Sequence, residues 1–187
     1  MYKYILLMVL ILAFFSGCKN LNLEVENKDA LNDTNLEDKT QENNIDKPKR
    51  YSDLEKAISN TIINCNIGKY TEGEYQTESH VNLLIDESDE LVTVYTMALY
   101  AEYTYKAQLL KNVSGGHYAV AITFSKDNGY YSLIEYWTPL SGTEYANSIR
   151  DRFPESIWDQ ALDTQQFIEY QIKDTEKKAL EYFTKDK

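Results

Sequence analysis

Residues 118–137 read Tyr-Ala-Val-Ala-Ile-Thr-Phe-Ser-Lys-Asp-Asn-Gly-Tyr-Tyr-Ser-Leu-Ile-Glu-Tyr-Trp. Tyr118, Val120, Ile122 and Phe124 occupy alternate positions, the period of a strand with one buried face. Asn128-Gly129 then supplies two residues that tolerate positive φ, as a two-residue hairpin turn requires. Tyr130, Ser132, Ile134 and Tyr136 resume the alternation on the return strand. Upstream, Val81, Leu83 and Ile85 alternate with His80, Asn82 and Leu84, and the acidic cluster Asp86–Glu90 reads as a turn. Leu91–Tyr105 is rich in Val, Thr and Tyr, the composition of strands. Gly115-Gly116 reads as a further turn. Together these segments describe a meander of four or five antiparallel strands from about Tyr75 to Trp137.

Helical periodicity flanks the meander. Ser52-Asp53-Leu54-Glu55 has the form of a capping box, with Ser52 as N-cap and Glu55 reaching back. Leu54, Ala57, Ile58, Thr61, Ile62 and Cys65 recur at three- and four-residue spacing, and Gly68 ends the pattern. Cys65 lies on the apolar side, the place of a buried, inert thiol. After the strands, Thr143 can cap a short helix through Ile149 to about Phe153, and Pro154 opens another containing Ile157, Trp158 and Leu162. Asp163 with Gln166 caps a last helix whose apolar stripe is Ile168, Ile172, Thr175, Ala179, Tyr182 and Phe183. The expected class is α+β: an N-terminal helix, a four- to five-stranded antiparallel meander, and C-terminal helices packed on one sheet face. One domain spans residues 51–187.

The N-terminus carries a different signal. Lys3 precedes an apolar run from Tyr4 to Phe15, about a dozen residues where a spanning helix needs about twenty. The run ends in Phe15-Ser16-Gly17-Cys18, which resembles the lipobox of bacterial lipoproteins, with Phe15 in place of the usual Leu. Residues 1–17 are therefore expected to be a signal peptide, and Cys18 the lipidated N-terminus of the mature chain. Acyl chains contribute about 0.8 kcal/mol per buried methylene, so two or three anchor a protein stably. Residues 18–50 are rich in Asn, Asp, Glu, Lys and Thr, lack aromatic residues, and read as a disordered tether. The expected location is the extracytoplasmic face of the cell membrane, reached through the lipid anchor.

The formal charge of the 187 residues is −11, and removal of the leader, whose only charge is Lys3, makes the chain one unit more acidic. Nucleic acid is excluded as a partner, because phosphate binding needs clustered Lys and Arg. Two histidines, His80 and His117, cannot form a His-Glu-x-x-His motif at their spacing, and no cysteine pair is available for zinc. Glu78 and His80 share a strand face and could hold a metal only with a third ligand; a surface histidine is the plainer reading. No nucleophile elbow or phosphate loop occurs, and no cofactor is indicated. Sixteen tyrosines stand out. Tyr95, Tyr103, Tyr105, Tyr130 and Trp137, in the strand region, are the candidate binding surface, suited to sugar rings or a peptide; sheet packing explains the same residues.

Several stretches carry a resemblance: Val94-Tyr95-Thr96-Met97-Ala98-Leu99-Tyr100-Ala101-Glu102-Tyr103, Ala121-Ile122-Thr123-Phe124, Gly129-Tyr130-Tyr131-Ser132-Leu133, Tyr136-Trp137-Thr138-Pro139, and Ser148-Ile149 with Phe153-Pro154. Over residues 51–185 the chain resembles the extracellular C-terminal domain of clostridial membrane metallopeptidases of the penicillin-sensor and antirepressor type. The peptidase half, with its zinc motif, is not among the 187 residues, so the resemblance implies an accessory or sensory domain and transfers no active-site residue. The expected function is a membrane-anchored, non-catalytic binding domain whose partner is an envelope protein, a peptide or a cell-wall fragment. The alternatives are an envelope hydrolase using carboxylates or His80, and an immunity or stress lipoprotein that sequesters cationic peptides.

Overall fold

The structure, a computed structural model, describes residues 50–185. The signal peptide, Cys18 and nearly all of the tether lie outside the described residues. Five strands form one antiparallel sheet: β1 (Arg50–Tyr51), β2 (Tyr75–Glu87), β3 (Leu91–Lys106), β4 (Leu109–Asp127) and β5 (Tyr130–Trp137), in the order β1-β5-β4-β3-β2. The first helix, α1 (Leu54–Asn66), lies between β1 and β2 in sequence. A 3-10 turn at Gly142–Glu144 leads into α2 (Tyr145–Arg152), another at Glu155–Ile157 leads into α3 (Trp158–Leu162), and α4 (Ile168–Thr184) closes the described chain. The fold is α+β, as the sequence patterns predict.

Alternation along the strands sorts the core into two layers. Val92, Val94, Ala98 and Tyr100 of β3, with Val120, Ile122 and Phe124 of β4, pack against Ala57, Ile58 and Ile62 of α1. On the opposite face Met97, Ala119 and Ala121 pack against Ile149, Phe153, Ile157 and Ala161 of α2, α3 and the turn between them. Ala101 and Tyr103 meet Ala179 of α4 on that second face. The C-terminal helices thus share one face, and α1 covers the other.

Several local expectations need correction. The N-cap of α1 is Asp53, whose carboxylate accepts from the Lys56 N–H at 3.0 Å. Ser52 stands one residue too early, and Glu55 is turned away toward β2. Gly115-Gly116 is not a turn but lies inside β4. The β3–β4 hairpin turns at Ala107-Gln108, both at positive φ (51° and 63°). The Asn128-Gly129 hairpin is present as expected (φ 49° and 77°). The alternation of β5 breaks at a bulge, where Thr123 faces Glu135 but Phe124 faces Leu133. Ile134 is the inserted residue and is 57% exposed, so Tyr131 before the bulge and Tyr136 after it reach the α1 side. In α4 the buried line is Gln171, Thr175 and Ala179, while Ile172 and Tyr182 are exposed. Asp163 bonds the Gln165 N–H in the turn before α4 and does not cap the helix. Thr143 likewise lies within the 3-10 turn ahead of α2, whose N-cap is Glu144.

Candidate functional site

β4 carries two glycines where β3 opposes it with Ala101 and Tyr100. A Cβ at Gly115 would stand 2.2 Å from the Tyr100 carbonyl oxygen, and one at Gly116 would meet the Tyr70 hydroxyl at 2.0 Å. Neither position can carry a side chain without movement; Gly115, paired with Ala101, leaves the α4 face of the sheet bare, whereas the Gly116 position looks onto Tyr70 and Tyr118 in the α1 layer. A bulge beside them shifts the register, with Glu102 opposite Ser114 and Tyr103 opposite Asn112. Over this bare stretch α4 leaves an open cleft of about 310 Å³, floored by Gly115 and Gly116 and walled by Ile168 and Ile172. Tyr103, Asn112, His117 and Glu176 are among its polar residues.

His117 is held in one orientation. The side-chain amide of fully buried Gln171 donates to the carbonyls of Ser79 and Met97, both at 2.9 Å. That commits the Gln171 nitrogen, so its Oε1 must be the atom 2.8 Å from His117 Nε2, and Nε2 must carry the proton. Nδ1 is then the acceptor. Burial pushes the imidazole below its ordinary range, against the Gln171 bond, which raises it. The ring is therefore neutral at pH 7. Beside it the Tyr103 hydroxyl is tied to Thr175 Oγ1 at 2.9 Å; burial raises its pKa, against the Thr175 bond, which lowers it, and with a smaller push from the Glu176 charge. Glu176 makes no ion pair among the described residues and is the one charged group lining the cleft.

The sheet's other face holds a second polar cluster. His80 Nδ1 lies 2.8 Å from Glu78 and Nε2 lies 2.9 Å from Glu55 of α1, while Asn82 donates to the other Glu55 oxygen at 3.1 Å. Burial of the ring works against its charge, but the Glu78 and Glu55 carboxylates outweigh it and hold His80 above its ordinary value. Both nitrogens are occupied by carboxylates, so His80 acts as a cationic bridge between β2 and α1. Among the described residues no group of three or more His, Cys, Asp or Glu is arranged to hold a metal ion. His80 is mostly covered, with only 11% of its side chain exposed, which corrects its reading as a surface residue. A third cluster centres on buried Glu102, which accepts from Tyr100, from the Gly73 N–H at 2.9 Å and from Gln76 at 3.0 Å.

The aromatic residues singled out in the sequence are scattered. Tyr95 and Trp137 both pack on Phe153, with ring centroids 5.0 and 5.8 Å away. Tyr103 is 2% exposed beneath α4, and Tyr105 stacks on Phe183 at 5.4 Å. Tyr130 is 45% exposed at the β5 edge, under the Arg50 guanidinium. The structure brings Tyr103 alone of these five to the cleft. Gln171 and Glu176 carry no motif and are not legible in the sequence, and the Gly115-Gly116 pair at the cleft floor reads there as a turn. The strand alternation pairs Glu78 with His80, but Glu55, which the sequence offers as a capping residue, joins them only through the packing of α1. Buried Cys65 fits the inert-thiol reading. No helix among the described residues is long and apolar enough to cross a membrane. No protein-family model matches the chain, and no curated protein or solved structure is similar to it.

Proposed function

We propose that this chain is a membrane-anchored extracytoplasmic lipoprotein, attached through acylated Cys18, whose domain is a non-catalytic binding module acting through the cleft between β4 and α4. The observation that carries the binding role is the cleft itself: a bare glycine floor, two apolar walls, and an imidazole whose tautomer is set by a fully buried glutamine. Its volume lies at the low end of the range for small-ligand sites, about 300–1,000 Å³, which favours a small molecule or one side chain of a peptide. The accessory role implied by the resemblance to sensor-type metallopeptidase domains belongs to the same proposal, as do the partner classes: an envelope protein, a peptide or a wall fragment.

Two measurements test it. Palmitate labelling in a Gram-positive host should mark the wild type and not Cys18→Ala; equal labelling of both would refute the anchor. A peptide or wall-fragment fraction should raise the melting temperature of the wild type and leave Ile172→Trp, which fills the cleft, unmoved. Equal shifts in both would refute the cleft as the binding site.

A further inference from the structure

Resting on the reading of the cleft as a binding site, we infer that its ligand is a primary ammonium on an aliphatic stem, presented as a lysine side chain of a peptide. The lining offers acceptors and no cation. Glu176 is its one charged group, and no Lys or Arg lines it. His117 donates from Nε2 to Gln171 and keeps Nδ1 as a lone-pair acceptor. The amide of Asn112, also in the lining, is spent on the carbonyls of Glu102 and Ser114, both at 3.3 Å. The Tyr103 hydroxyl is engaged with Thr175. A carboxylate or phosphate ligand would meet Glu176 with no compensating positive group. An ammonium has three donors for the carboxylate and the imidazole. Ile168 and Ile172, the latter 41% exposed, offer apolar surface for its methylenes. The glycine floor lets a chain lie close to the sheet backbone. The net charge of −11 adds a long-range pull on cationic ligands, strongest at low salt.

The test is a titration of the full chain in detergent micelles, followed by amide NMR, with Nα-acetyl-lysine methylamide as the probe. The expected result is a dissociation constant in the low millimolar range, near −4 kcal/mol at 1 mM, with shifts at Gly115, Gly116, His117 and residues 168–176. The norleucine analogue, which keeps the stem and lacks the ammonium, should bind at least tenfold more weakly. Glu176→Gln, a solvent-facing change on α4, should weaken the lysine probe about tenfold with the melting temperature unchanged. Equal binding of the norleucine analogue overturns ammonium recognition and leaves the cleft standing as a ligand site. Lysine-probe shifts confined to residues outside the cleft, or unaltered by Glu176→Gln, overturn the inference. The fraction-induced melting shift and its loss in Ile172→Trp decide the broader reading separately.

Discussion

The turn at Ala107-Gln108 is the least suitable pair in the fold for its conformation. Both residues sit in the left-handed region, at φ 51° and 63°, and both are exposed, so no tertiary contact rewards them. The same chain turns its next hairpin with Asn128-Gly129 at nearly the same angles. The left-handed conformation costs an ordinary L-residue roughly 1–2 kcal/mol. Replacing Gln108 by Gly removes that cost, about 1 kcal/mol at the lower bound. Replacing Ala107 by Asn recovers about half as much, because a short amide hydrogen-bonds locally in that region. Glycine's greater freedom in the unfolded chain returns about 0.5 kcal/mol. The double variant Ala107→Asn/Gln108→Gly should therefore be more stable by about 1 kcal/mol, a rise in melting temperature of about 3–4 °C for a domain of this size. Urea unfolding should show a higher midpoint at unchanged slope. The reciprocal graft, Asn128→Ala/Gly129→Gln, should lose a comparable amount. An unchanged or lower midpoint in the first variant, with no loss in the second, would refute the strain argument.

Three further outcomes follow from the polar core. His80→Gln should destabilise the domain by about 2 kcal/mol at pH 6, the range for hydrogen bonds to charged groups. A raised folded pKa means its contribution is whole below the unfolded value and fades as pH rises through the folded one. The difference from wild type should thus shrink as pH rises, and a constant difference would show that the Glu55 and Glu78 partners hold His80 without its charge. Gln171→Leu removes three hydrogen bonds and leaves the Ser79 and Met97 carbonyls without their side-chain donor; a loss of about 3 kcal/mol is expected, and urea unfolding within 0.5 kcal/mol of wild type would contradict it. Gly115→Ala should cost more than Gly116→Ala, on the order of 3 against 1 kcal/mol, because the first meets a backbone carbonyl and the second the Tyr70 and Tyr118 side chains, which yield more readily than backbone. The reverse ranking in chemical unfolding would discredit that account of the cleft floor.

The legible parts of the fold are those where one physical rule acts alone. The spacing of Ala57, Ile58, Thr61, Ile62 and Cys65 predicts the buried face of α1, because that helix meets an apolar layer. Asn128-Gly129 predicts its hairpin because only such residues reach those angles cheaply. Where rules compete, the pattern misleads. Gly115-Gly116 looks like a turn because glycine usually marks one, but here it answers the close approach of Tyr100 and Tyr70. Ala107-Gln108 carries no turn signal, and the strand pairing on either side places the turn there. An apolar stripe drawn along α4 passes through Ile172 and Tyr182, whereas the helix docks through Gln171 and Thr175. A buried glutamine is invisible to hydropathy, and its value lies in partners a hundred or fewer residues away that only the fold supplies. The cleft is illegible for the same reason: it is made of a missing side chain at Gly115 and of polar residues that carry no motif.

The strand β2 explains why such polar docking exists. It lies at the edge of the sheet, where unpaired backbone invites association with other strands. Its fully buried residues, Thr77, Glu78 and Ser79, are polar and cannot be held by the hydrophobic effect that fixes β3 and β4. Besides the ladder with β3, side-chain hydrogen bonds from both helical layers hold this polar stretch. On one face Glu78 reaches His80, which reaches Glu55 of α1; on the other, α4 sends Lys178 to the Glu78 carbonyl at 2.8 Å and Gln171 to the Ser79 carbonyl. The same Gln171 then sets the tautomer of His117 in the cleft. Orientation in the cleft is thus anchored in the backbone of β2 and β3 before any ligand arrives, and a site ordered in advance avoids an ordering cost on binding. A flexible, solvated imidazole at position 117 could offer either nitrogen, but one bonded to a buried amide with no remaining freedom offers only Nδ1. The selectivity inferred for the cleft therefore depends on how an edge strand with a polar centre is secured, and the two properties should fail together when Gln171 is replaced.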